Sequence, residues 1–233
     1  MTGVGLTEPP TVPGPPEASH PAKPLLRGVI HEIALFVFLA AGGWLVAVSG
    51  GWQVRSAVIV YTVGVCGMLG VSTVFHRHTW STPASRRRMR RADHSTIFVA
   101  IAGSYTAVAA LALHGGYEVG VLVVVWVGAA LGVAMRLAWT EAPKWAIAVP
   151  YVVVGWVAVG VLPELLAGMG SGAFALLLIG GLLYSAGAVV YALRRPDPYP
   201  TVYGYHEVFH TLVVAGAAAH FAAVASLVLS AGR

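Results

Sequence analysis

From residue 25 onwards the chain alternates long apolar runs with short polar breaks. The runs lie at 30–48, 56–75, 95–113, 119–135, 145–161, 172–193 and 208–229. Each is about 17 to 22 residues long, and at 1.5 Å per helical residue that length crosses the roughly 30 Å of bilayer hydrocarbon. Water is absent at that depth, so backbone N–H and C=O groups must pair within the segment, and helices are the expected form. The pattern predicts an all-α membrane protein: a seven-transmembrane-helix bundle over 25–233. The fifth run carries the thinnest signal, being short and interrupted by Pro150. Ahead of the runs, 1–24 holds half of the chain's fourteen prolines and no apolar stretch, the composition of a disordered tail. It lacks the basic-then-apolar start of a secretory signal and is expected to be retained.

Composition narrows the class further. Apolar residues make up 58% and charged residues 10%, with a mean hydropathy of +0.78, whereas a soluble domain carries about 25% charged residues. A large soluble enzyme, a disordered chain and a disulfide scaffold are excluded. The single cysteine, Cys66, lies inside an apolar run and has no partner in the chain.

The basic residues predict an orientation. With successive loops assigned to opposite sides, Lys23, Arg27, Arg77, Arg86, Arg87, Arg88, Arg90, Arg91, Arg136, Lys144, Arg194 and Arg195 share one side, and only Arg55 and Arg233 take the other. Twelve against two is a positive-inside signal: amino terminus cytoplasmic, carboxyl terminus outside, a multi-pass protein of the bacterial inner membrane. The basic run at 86–91 sits in a short loop between two spans on this reading. It is expected to fix topology and touch anionic lipid, and nucleic-acid binding is not predicted. Gly42, Gly43, Gly180 and Gly181 are expected to let helices approach closely.

Ionisable residues at membrane depth are costly, and they mark the candidate chemistry. His206 and His210 are four apart at the start of the seventh helix, one above the other on one face at a metal-ligand spacing. With Glu207 they spell the His-Glu-x-x-His string of zinc proteases, yet no acidic residue follows His210 and the extended protease pattern would need histidine at Gly216. His220 lies about 15 Å further along the axis, too far to share an ion, and is expected as a hydrogen-bonded bundle residue. The third ligand must come from upstream. On the seven-span topology His76 ends the second helix and Asp93 starts the third, both at the level of His206, with Ser72 one turn before His76. Three histidines with an open fourth position form the pattern of a catalytic zinc site, with Asp93 placed to hold and deprotonate a water. Glu207 points about 100° away from the ligands' shared face. His31, His78 and His94 read as interfacial or loop residues.

Ser-Thr-Val-Phe-His at 72–76, Asp93 in Arg-Ala-Asp-His-Ser-Thr-Ile, Gly-Ser-Tyr-Thr at 103–106, Tyr-His-Glu-Val-Phe-His at 205–210 and Ala-His-Phe at 219–221 together resemble the haemolysin III family. These are bacterial relatives of the progestin and adipoQ receptors, with distant similarity to alkaline ceramidases. The resemblance covers about 28–230. It implies a seven-helix bundle with an inside amino terminus, Zn2+ held by His76, His206 and His210, and Asp93 bonded to the water there, with Ser72 in the same motif. Ala107 stands where many members have proline, which puts a kink in the third helix in question.

The expected function is a membrane zinc-dependent hydrolase of a lipid amide or ester, its substrate in a cavity inside the bundle. A non-enzymatic receptor or membrane-homeostasis sensor with structural zinc is the alternative, and a pore-forming haemolysin is disfavoured. A retinal pump is excluded, because the only lysines, Lys23 and Lys144, lie outside the last helix.

Overall fold

A computed structural model describes residues 23–139 and 142–231. The tail expected over 1–24 falls outside the described residues except for its last two positions. Among those described the architecture is all-helical with no strand: α1 (Val29–Val48), α2 (Trp52–Arg77), α3 (Pro83–Ala112), α4 (Gly116–Ala138), α5 (Lys144–Gly155), a 3-10 turn (Val157–Val161), α6 (Leu162–Leu193) and α7 (Tyr205–Ala231).

Stretches long and apolar enough to cross a membrane number six among the described residues, because 144–193 runs together as one stretch of 50 residues. Separate fifth and sixth spans were the expectation. No polar loop divides them: the chain changes direction within nearly continuous helix. α5 stops at Gly155, Pro163 lies in the first turn of α6, and Gly170 breaks α6 with φ 71° and ψ 166°, a backbone conformation that only glycine adopts at no cost. The stretch doubles back on itself: Trp156 Nε1 donates to Ser185 Oγ at 2.8 Å and the Lys144 ammonium sits 4.8 Å over the Tyr191 ring. Backbone groups freed where α5 gives way to the 3-10 turn are taken up by Tyr105, whose hydroxyl donates to Gly155 O (2.7 Å) and accepts from Ala158 N (2.8 Å). Buried helix breaks need such replacement partners.

The basic run at 86–91 is not a loop. The Thr82 hydroxyl accepts from Ser85 N at 3.1 Å and Pro83 occupies the first turn, so α3 begins at residue 83, twelve positions before the apolar run at 95. From there α3 runs 30 residues without a break, and Ala107 introduces no kink. α3 is the central helix, touching α2, α4, α5, α6 and α7, while α1 packs on α2 and α7.

Small residues set the tightest crossings. A Cβ on Gly42 would meet Thr62 Cγ2 at 2.4 Å, and one on Gly180 would fall 2.1 Å from the His220 ring. Gly43 and Gly181, expected to behave alike, have no neighbour that close. Polarity is inverted relative to a soluble fold. Ile33, Phe36, Val63, Val123 and Leu131 are exposed, whereas Ser72, His76, Asp93, Glu207 and His210 are buried.

Candidate metal centre

The last turn of α2, the first half of α3 and the first turn of α7 meet at one end of the bundle. Three-residue spacers keep each helix's polar pair on a single face: Ser72 with His76 on α2, His206 with His210 on α7. The rings converge. His76 and His206 lie with centroids 4.8 Å apart, His206 and His210 4.5 Å, His76 and His210 5.0 Å. One ligand atom from each of the three falls within 4.8 Å of the others, and the group can hold a metal ion. His76 Nε2 and His206 Nε2 face each other at 3.1 Å. Asp93 Oδ2 lies 4.0 Å from His76 Nε2, and the Ser72 side chain is hydrogen-bonded to the Asp93 carboxylate.

The backing of these residues comes from the segment before α1 and the turn before α7. Lys23 Nζ donates to the His76 carbonyl, steadying the end of α2. Burial, with Arg27, Arg86 and Arg77 close by, holds the Lys23 ammonium below the ordinary lysine pKa. Leu25 N and Leu26 N donate to Thr201 O (3.0 Å) and Val202 O (3.1 Å), tying this strap to the turn ahead of α7. Glu207 faces away from the rings and is fully occupied: Arg27 Nε donates to its Oε1 and Gly204 N to its Oε2 at 3.0 Å. Three residues past the helix start, that is the carboxylate half of a capping box. The His-Glu-x-x-His string is therefore two site residues around a helix cap. Gly204 is required beside it, since a Cβ there would sit 2.6 Å from Asp197 Oδ1.

A cavity of about 160 Å³ opens from the histidines into the bundle. Ser72, Asp93, His206 and His210 line it at one end, and Tyr105 and His220 line it further along. Its walls are mostly aliphatic. His76 is not among the residues that line it. His220 behaves as expected of a bundle residue, its Nε2 3.1 Å from Leu177 O.

Two residues of the site escaped the sequence reading. His31, on the first turn of α1, is 3% exposed and stacks flat on His210 with centroids 3.8 Å apart and planes 5° apart. Both of its ring nitrogens are buried without a hydrogen-bond partner among the described residues. His94 lines the cavity, its carbonyl accepting from Tyr151 OH at 2.9 Å. Each is a lone histidine with no second histidine, cysteine or carboxylate three or four positions away to mark a ligand face, so sequence spacing carried no signal. His78 stays out of the site, ending α2 and packing edge-on to Trp80.

Residues 19–221 match the family model described as Haemolysin-III related. The chain is similar to a Hemolysin-3 homolog of Bacillus subtilis, 26% identical over 200 residues that cover 84% of this chain and 90% of that protein. It is similar also to Hemolysin-3 of Bacillus cereus, 27% identical over 206 residues covering 88% and 91% of the two.

Proposed function

The chain belongs to the haemolysin-III-related family and is a multi-pass membrane protein, and from that premise we propose that it is a zinc-dependent hydrolase of a lipid amide or ester. The observation that carries the reading is three converging imidazoles, His76 and His210 buried and His206 half-buried, beside the buried Asp93 carboxylate at one end of an apolar cavity. The donor set fits the ion. Zinc takes imidazole nitrogens at about 2.0–2.1 Å, which in a tetrahedron spaces them about 3.3 Å apart, close to the 3.1 Å between His76 and His206. His76, His206 and His210 would hold it, with the Asp93 carboxylate 4.0 Å from His76 Nε2. Held there, zinc supplies a Lewis acid that lowers the pKa of water to about 7 and polarises a carbonyl.

The chain's own residues do the rest. Asp93 holds the attacking water through Oδ2, accepts its proton and returns it to the departing amine or alcohol. The oxygen–acyl bond forms as the carbon–nitrogen or carbon–oxygen bond breaks, giving a fatty acid and the free headgroup. Ser72 keeps the Asp93 carboxylate oriented through their hydrogen bond. The aliphatic cavity wall takes the acyl chain and excludes bulk water, which strengthens every polar contact at the reacting carbonyl. The topology of this reading has seven crossings, 144–193 passing twice as a hairpin, with the amino terminus and the histidine cluster at the cytoplasmic face of the inner membrane. The Trp156–Ser185 pairing and the twelve-to-two distribution of basic residues support it.

The test is release of fatty acid from a panel of ceramides and acyl esters by the purified, zinc-replete protein. Release by the wild type that Asp93→Asn abolishes, with zinc retained, supports the reading; absence of release across the panel overturns it. One observation favours a second reading. The ligands join α2 to α7, elements 130 residues apart at His76 and His206, so a bound ion staples the bundle whether or not it reacts. A receptor or membrane sensor with structural zinc would keep its cellular role in Asp93→Asn.

A further inference from the structure

A second candidate site lies outside the bundle interior. The first turns of α3 and the segment linking it to α2 enclose a groove of about 440 Å³, lined by Trp80, Thr82, Pro83, Arg86, Arg87 and Arg90. Arg86 and Arg90 are four apart and Arg87 and Arg90 three apart, so all three guanidinium groups project from one helix face. No carboxylate of the described residues lines the groove. Glu32, at the same end of the bundle, is already paired with Arg77 at 3.0 Å. The wall is fixed: Trp80 Nε1 donates to Phe75 O at 3.1 Å and the Thr82 hydroxyl is committed to capping α3. Arg86 lies 5.8 Å over the Phe75 ring, and that ring packs 4.7 Å from His76.

We infer that this groove binds a phosphate group, carried by an anionic lipid headgroup or free in solution. Guanidinium forks match phosphate oxygens two at a time, and Arg86 and Arg87 both line the groove. The groove lies where the apolar runs end, at headgroup level, and its indole wall suits the interfacial part of a lipid. Arg88 is the built-in control. It belongs to the same basic run but does not line the groove, so its loss changes net charge equally and the site not at all.

The experiment uses the full-length, zinc-loaded protein. Native mass spectrometry follows retention of phosphatidylglycerol against phosphatidylcholine, and calorimetry follows inorganic phosphate. Arg86→Gln and Arg87→Gln each weaken binding about fivefold, the worth of one arginine near anionic lipid, and Arg88→Gln leaves it unchanged. Retention of phosphatidylglycerol without phosphate binding assigns the site to a lipid; binding of phosphate alone assigns it to a soluble anion. Equal weakening by all three substitutions, or no binding by the wild type in either arm, overturns the proposal. Unchanged melting temperatures in the variants show that the fold is intact. His210→Ala, which empties the metal centre on the reading above, keeps phosphate binding, so the two proposals fail separately.

Discussion

Histidines stand in two regions of the bundle, and their surroundings differ. Deep in the bundle His220 is alone, and a single carbonyl, Leu177 O, meets its Nε2. At the other end His76, His206 and His210 aim at one another, with only a 3.1 Å contact between two of their nitrogens. The Leu177 carbonyl serves one nitrogen of the His220 ring, and His220 Nδ1 is buried without a hydrogen-bond partner among the described residues. Three imidazoles sharing one small volume cannot all be satisfied by mutual hydrogen bonds, because an unpaired buried polar group costs about 1–3 kcal/mol. A cation would remove that conflict at the cluster, whereas His220 belongs to no group of ligands among the described residues that could hold one.

The carboxylates divide in the same way. Glu207 is locked to Arg27 and the α7 cap, and Asp93 faces the cavity with Ser72. Asp93→Asn is expected to have the largest effect, cutting hydrolysis by about 10²–10⁴-fold, the range for loss of a general base, with zinc content unchanged. Single-turnover assays beside metal analysis check it. Glu207→Gln breaks the ion pair with Arg27 instead, while its amide oxygen can still accept from Gly204 N. It should lower stability by about 2 kcal/mol in thermal unfolding while zinc still binds at saturation. His31→Ala removes the flat stack on His210 and should weaken zinc binding about tenfold, as loss of a ligand's support does, and His31→Phe should restore most of it. Competition with a fluorescent chelator reads this out. His220→Leu should be the mildest: zinc affinity stays within about twofold, since sites that far apart act additively. A large loss of zinc in His220→Leu would mean that the two regions are coupled.

Much of this arrangement was legible in the chain because two periods coincide. Apolar runs of one bilayer thickness announce helices, and polar residues four apart within them announce a shared face; Ser72 with His76 and His206 with His210 were readable on both counts. The stretch 144–193 was divided in the wrong place: the sequence put the gap at 162–171, whereas the breaks lie at Gly155, the 3-10 turn over 157–161 and Gly170, without the polar loop that marks the other breaks. The early start of α3 carried a local signal in Thr82 and Pro83, masked by the charge of 86–91. His31 left none, since its role comes from α1 meeting α7, a contact between residues 179 positions apart. Helix geometry alone put Glu207 off the ligands' shared face, but its place in the α7 cap and its pairing with Arg27, 180 positions away, needed the fold.

The most direct measurement is elemental analysis of the protein purified without chelator, wild type beside His210→Ala. One zinc per chain in the wild type and none in the variant is the predicted result. A metal-free wild type prepared in zinc-replete medium, or equal zinc in both proteins, would contradict the account.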